Sequence, residues 1–287
     1  MRFFAIFACL FLLCAAPFVS AQAAQGEAAP IPPAARHIVP HRALYDLNLA
    51  SVRNGSDITD VSGRMLFQWR DTCTGWAIQQ YMKLYFSYAE GDSQTLSSTE
   101  LTWESKDGKR YTFNVSRATD GKENEHYRGS AILKTDGSGT VTYVLPKKKT
   151  VHLPKGALFP TAHTELILQM ARAGVARGDM PFMRRVFDGA DDEGQSDISA
   201  VIEPPQPTAK AGLPEKLRKN PLLAAPAWPV RMAFFKAGGG ETMEPDYEMR
   251  LDLEPNGIAR HMMIDYGDFA INGKLEDVEA LPAPHCR

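Results

Sequence analysis

Histidine and cysteine are the side chains with which this chain could do metal or thiol chemistry, and it has seven of one and four of the other. His37 and His41 stand four apart, the interval at which a helix face presents two imidazoles to one metal ion. Pro40 lies between them and the flank is extended, so the spacing carries no helix and no metal. His285 adjoins Cys286, a zinc-type pair only while that sulfur is free. His126, His152 and His261 stand alone in strand-like sequence, and His163 falls near a helix start, where an exposed or satisfied ring is expected. Sequence alone pairs no nucleophile with any of them, so no catalytic residue and no metal ligand is assigned.

The acidic run Asp188, Asp191, Asp192, Glu193, Asp197 superficially resembles a calcium loop. Counting from Asp188, Ala190 occupies the third position and Glu193 the sixth, where an oxygen donor and a glycine are required. The register fails, and the run reads as a solvated turn. Lys147, Lys148 and Lys149 read as a charged edge that blocks strand pairing. Nucleophile-elbow, zinc-helix, P-loop and Rossmann glycine patterns do not occur, so no cofactor is expected and the chain reads as non-enzymatic. Basic residues number 32 against 34 acidic, with no basic stripe, which argues against nucleic acid as a partner.

The cysteines depend on where the chain works. Arg2 precedes an almost wholly apolar run, Phe3–Val19, followed by Ser20, Ala21, Ala23 and Ala24. This is the pattern of a secretory signal peptide, residues 1–23, with cuts possible after Ala21 or Ala23. The run is short for an uncleaved membrane span, and Leu12 and Leu13 before Cys14 do not suit a lipoprotein. The expected location is periplasmic. Cys9 and Cys14 leave with the signal, and Cys73 and Cys286 remain in an oxidising compartment. Two cysteines allow one intramolecular bridge; free thiols or an intermolecular bond are the alternatives. No other segment approaches the ~20 apolar residues of a spanning helix, so an integral membrane protein is not expected.

The elements that must position these residues are mostly strands. Residues 24–36, rich in Ala and Pro, read as a disordered mature N-terminus. After them apolar residues recur with period two: Ala43, Tyr45, Leu47, Leu49; then Val61, Met65, Phe67, Trp69; then Trp76, Ile78, Met82, Leu84, Phe86. Further strands are expected at 95–103, 110–116, 127–134, 139–145, 180–187, 197–202, 230–236, 247–253, 259–266 and 269–278. Asn54-Gly55, Asp107-Gly108, Asp136-Gly137 and Asn256-Gly257 supply tight turns between them. The fold class is mainly β: a large antiparallel sheet of about a dozen or more strands, strongly curved or partly closed.

One amphipathic helix, about 162–177, interrupts the strands, with Thr161 as its N-cap. From 203 to 229 seven prolines forbid regular structure; the stretch reads as a long surface excursion or a linker between lobes. Tyr81 and Tyr85 fall on the face opposite Trp76 and Leu84, and are expected to pack beneath the helix or line a ligand-holding concavity.

The segments Pro40-His41-Arg42-Ala43-Leu44-Tyr45, Asp60-Val61-Ser62-Gly63, Cys73-Thr74-Gly75-Trp76, Phe159-Pro160-Thr161-Ala162-His163-Thr164 and Phe187-Asp188-Gly189, with the near-terminal Cys286, follow one order along the chain. In this the chain resembles the EipB-like family of periplasmic cell-envelope integrity proteins. The resemblance implies a single spiral-like or half-barrel β domain over 37–287, and a Cys73–Cys286 disulfide. It also implies a non-enzymatic role in envelope integrity and a functional link to a periplasmic tetratricopeptide-repeat protein. Three functions follow as expectations: an envelope scaffold or interaction protein; a carrier of a lipid or other amphiphile in the curved sheet; and an envelope hydrolase. Sequence alone identifies no ligand-binding residue for any of them.

Overall fold

A computed structural model of the chain describes residues 38–174, 181–205, 213–238 and 244–286. The expected signal peptide (1–23), N-terminal segment (24–36) and last helical residues (175–177) lie outside these, as do 206–212 of the proline-rich stretch. In chain order the strands are β1 (His41–Val52), β2 (Ile58–Asp71), β3 (Gly75–Tyr88), β4 (Ser93–Ser105), β5 (Arg110–Thr119), β6 (Lys122–Leu133), β7 (Gly139–Leu145) and β8 (Lys149–Leu153). After helix α1 (Pro160–Ala173) come β9 (Phe182–Phe187), β10 (Gln195–Ile202), β11 (Trp228–Lys236), β12 (Tyr247–Leu253), β13 (Ala259–Asp265) and β14 (Phe269–Ala280).

All fourteen belong to one antiparallel sheet. Chain neighbours are sheet neighbours through β1–β8 and again through β9–β14. The two meanders are joined where β1 pairs with β14, Ala43 opposite Val278 and Leu47 opposite Gly273. The break falls between β8 and β9. There Leu158 alone bridges the gap, its N–H donating to Arg185 O (2.9 Å) while Phe187 N–H donates to Leu158 O (2.9 Å).

The sheet therefore curls into a nearly closed barrel. Tyr111 of β5 donates its hydroxyl to Asp188 O (3.0 Å), Tyr143 of β7 does so to Asp191 O (3.0 Å), and the Phe113 and Phe187 rings lie 5.5 Å apart. Alternation explains which face turns inward: Ala43, Tyr45 and Leu47 align with Phe67, Met65 and Gly63, and these with Gln80, Met82 and Leu84. Gly63 is required, since a Cβ there would stand 2.1 Å from Lys83 O. The sequence reading missed β8, the edge strand beside Lys147 and Lys148.

Because successive strands reverse direction, their turns gather at two ends. One end is sealed. Helix α1 buries Ile167 and Leu168 against Trp69, Trp76, Ile202 and Val230. The proline-rich stretch is not a surface excursion over its described part. Leu213, Leu217 and Leu223 are buried among Ala43, Tyr45, Leu275 and Val278, carried by the single-turn 3-10 helices Glu215–Leu217 and Pro221–Leu223. Prolines forbid strands and longer helices but leave leucines free to plug an apolar opening. Buried Arg260 fastens this plug, pairing with Glu254 and donating to Leu223 O (2.9 Å) and Ala225 O (2.5 Å). The same end carries the Cys73–Cys286 disulfide, with Cα atoms 5.6 Å apart. Asp71 supports its turn by accepting from Cys73 N–H (2.8 Å) and pairing with Lys106 (2.6 Å), whose ammonium lies over the Trp76 ring.

The helix runs 160–173 rather than 162–177, ending at Gly174 with φ 64°. Phe159, not Thr161, is its N-cap, and no side chain of its own caps it. Instead Glu104 of β4 accepts from Thr161 N–H (2.8 Å) and Ala162 N–H (2.9 Å). A buried helix start cannot use water, so a carboxyl from the facing strand satisfies it.

Two outcomes follow. The bridge closes a loop spanning 213 residues, for which chain entropy gives roughly 5 kcal/mol as an upper value. Cys73→Ser should lower the oxidised protein's Tm by several degrees, and an unchanged melt would mean the bond is energetically idle. Burial pushes Glu104 up to about 8 against its backbone and Thr161 donors. Its folded value lies above its ordinary 4.5, so the stability it contributes is complete below that value and is lost as pH rises through about 8. The Tm advantage of the native chain over Glu104→Gln should shrink between about pH 5 and about pH 9. A gap that widens would contradict this.

Candidate functional site

The opposite end, bounded by turns 52–58, 88–93, 119–122, 145–149, 187–195, 236–247 and 265–269, has no helix or plug across it among the described residues. Its inner wall breaks the apolar rule. On β4 the inward positions are Leu96, Ser98, Glu100, Thr102 and Glu104, opposite Leu84, Met82, Gln80, Ile78 and Trp76. Beside them Arg117 of β5 faces Ser98 on one side and Glu125 of β6 on the other. Arg117 donates through one guanidinium nitrogen to Glu125 Oε2 (2.6 Å) and Ala190 O (2.7 Å). Asp188, in the turn after β9, accepts from Ala190 N–H through Oδ1 (2.8 Å). Glu100 is half-buried and attracted by Arg117.

Across the lumen stand aromatic rings. Phe234 stacks on Tyr247 at 4.2 Å, Tyr247 lies 6.0 Å from Tyr266, and Tyr266 stacks on Phe269 at 5.1 Å. Tyr266 is 41% exposed and marks the opening. Below it lies an apolar cavity of about 20 Å³ lined by Leu47, Met65, Met82, Met262 and Ile264, with Tyr266 at its edge. That is room for about one water molecule.

The electrostatics tie both walls together. Loss of water pushes the Glu100 carboxyl up, opposed by Arg117. Asp188 is pushed up to about 7, chiefly by desolvation, with Glu100 and Asp191 adding to the shift and Ala190 N–H and Arg117 opposing it. Burial raises the Tyr247 hydroxyl, with Asp188, Tyr266, Glu100 and Asp246 adding, and raises Tyr266 with Glu100 adding and Arg117 opposing. Two carboxyls pushed upward by burial, facing hydroxyls and a guanidinium in a concavity, make a group able to bind a ligand and exchange protons with it. Among the described residues no three His, Cys, Asp or Glu side chains are placed to hold a metal ion.

The residues singled out from sequence lie mostly elsewhere. His41 is buried at the sealed end, its Nδ1 2.7 Å from Val39 O and its ring beside Phe67 and Trp69, a packing role. His163 is neither exposed nor satisfied: it is buried against Phe182, its Nε2 lacks a hydrogen bond, and burial pushes it down to about 4 with Arg184 adding. His126 and His261 each meet an asparagine, Asn114 and Asn272, across the strand. The Cys286 sulfur beside His285 is bonded to Cys73 and is no metal ligand. Lys149 donates to Asp192 O (2.7 Å) from the edge strand. Tyr81 and Tyr85 do not pack beneath the helix; they lie on the outer face, 41% and 48% exposed, because the helix covers the face that carries Trp76.

The acidic run is only partly a solvated turn, since Asp188 is half-buried at the mouth. Sequence reasoning missed Glu100, Arg117, Tyr247 and Tyr266. The available signal was Ser98-x-Glu100-x-Thr102, polar side chains at the strand positions that should have been apolar.

No helix of the described residues is long and apolar enough to cross a membrane. Residues 32–282 match the pattern of the EipB-like family. The chain is 30% identical over 242 residues to the cell envelope integrity protein EipB of Brucella abortus (strain 2308), covering 83% of this chain and 82% of that protein. It is also similar to a crystal structure of a beta-barrel-like protein, a domain of unknown function, from Brucella abortus. That match has a TM-score of 0.75 at 29% identity, over 85% of this chain and 99% of the other. A chain matched over nearly all of its described barrel, in sequence and in fold, belongs to the EipB-like family.

Proposed function

We propose that this chain is a non-enzymatic periplasmic protein that supports cell-envelope integrity by holding another envelope component at its open end, as a scaffold or interaction protein. The observation that carries this reading is the asymmetry of the barrel. One end is filled by α1 and the leucine plug, while the other offers a half-exposed Tyr266 beside the half-buried carboxyls Glu100 and Asp188. Polar groups and an aromatic ring reachable from the mouth are what a partner there could engage. The envelope-integrity role named for the Brucella abortus relative supports the setting. A tetratricopeptide-repeat protein of the periplasm, suggested by the family resemblance, is the proposed partner.

A second reading, a carrier for a lipid or other amphiphile, is favoured by one feature: the apolar cavity adjoins the polar wall at Tyr266. Its methionines are unbranched and can move aside to enlarge it.

Crosslinking in the intact envelope should capture a stable partner. Tyr266→Ala should lose it while the barrel stays folded, its Tm lowered by several degrees through the lost stacking on Phe269. Undiminished capture by that variant would put the contact elsewhere, and no partner at all would overturn the first reading. Lipid retained by periplasmically purified protein in native mass spectrometry would support the second reading, and a clean apo mass would contradict it.

A further inference from the structure

We propose that the mouth is a binding site for the ammonium head group of an amphiphile, held between Glu100, Asp188 and Tyr266, with its first carbons along Met82 and Met262. This rests on the carrier reading and specifies the charge of the cargo.

The charge of the mouth is negative. At the inner wall Glu100, Glu125 and Asp188 face one cation, Arg117, whose guanidinium is already engaged by Glu125 and the Ala190 carbonyl. The rim repeats the bias: in the described parts of its turns twelve acidic side chains stand against six basic ones, three of which are Lys147, Lys148 and Lys149, and Lys236 already pairs with Glu193. An anionic head group would meet this field unfavourably, and an uncharged one would leave the excess negative charge unbalanced.

Shape narrows the cation. A hard metal ion needs several oxygen ligands converging on one point, and the described residues provide no such group. Tyr247 and Tyr266 supply aromatic rings, and an organic ammonium is the cation that aromatic rings and carboxylates share well. The cavity reaches the same tyrosine and, at about 20 Å³, would have to widen by movement of Met65, Met82 and Met262 to take the ligand's first carbons.

Proton linkage supplies an independent signature. Glu100 is faced by Gln80 and Val115 on its neighbouring strands, by Arg117, and across the lumen by Asp188, Tyr247 and Tyr266. Asp188, which titrates at about 7, is faced by Arg117, Glu100 and Asp191. A cation entering this group favours both ionised carboxylates and expels protons.

The test uses the full mature protein with its disulfide intact, titrated calorimetrically with octyltrimethylammonium, whose charge does not change with pH. Octanesulfonate and octanol are the comparison probes. The ammonium should bind tighter than either, with affinity rising about tenfold from about pH 6 to about pH 8. Glu100→Gln should lower that affinity about tenfold and flatten its pH dependence. Octanesulfonate binding as well or better, no binding of the ammonium, or an ammonium affinity indifferent to pH would overturn the proposal. If Glu100→Gln fails to fold, the comparison of the three probes on the native chain decides alone. Co-purified lipid with an anionic head group would leave the carrier reading standing while rejecting the ammonium assignment. A lysine-rich peptide binding in place of the alkyl probe would reject both.

Discussion

The pairing of the first strand with the last is the constraint on which the rest of the molecule depends. A meander of eight strands and a meander of six could each exist as an open, twisted sheet with two exposed edges. The β1–β14 ladder removes one edge from each and sets the two walls facing one another. Several contacts reinforce it: Leu281 N–H donates to Pro40 O (2.8 Å), and Tyr45 reaches from β1 to accept burial and donate its hydroxyl to Ala259 O (2.9 Å). The disulfide adds a covalent tie at the same end, between the turn before β3 and the tail after β14. With this seam fixed, the curl brings β8 and β9 close enough for Leu158 to span the remaining gap.

Sealing then falls to segments that are not strands. The chain leaves β8 and must reach β9 at the far edge of the sheet, and α1 makes that passage across the sealed end with its apolar stripe inward. The proline-rich segment between β10 and β11 fills the rest of the opening with three leucines. Two buried polar devices hold these plugs: Glu104 receives the helix start, and Arg260 with Glu254 ties down the leucine segment. Removing one partner of a buried ion pair typically costs about 3–5 kcal/mol, so the Arg260–Glu254 pair fixes the position of the leucine segment. The open end has no comparable plug among the described residues, and its polar side chains remain only partly paired.

Much of this architecture was legible in the residues. Period-two alternation located the strands because a sheet with one inward face imposes it directly, as Ala43-Tyr45-Leu47 and Met82-Leu84-Phe86 illustrate. What escaped was whatever depends on contacts distant in sequence. The helix cap lies 57 residues from Thr161 in Glu104, so local capping rules pointed to Thr161 itself. Prolines in 213–229 announced irregular structure, but whether its leucines face water or core is decided by the opening they meet. Tyr81 and Tyr85 could have been covered or bare, and which face the helix takes is not written in β3. The mouth was hardest: Glu100, Arg117, Asp188 and Tyr247 come from four separate elements, and only closure of the barrel makes them neighbours.

The seam between the two meanders is permanent in the working protein. Native-state hydrogen exchange on the oxidised chain tests it most directly. The β1 amides that point toward β14 should exchange as slowly as those that point toward β2, because both rows are interior to one sheet. Exchange of the β14-facing row at the rate of the free β8 edge would mean the two meanders part in solution, and the mouth between them would not exist.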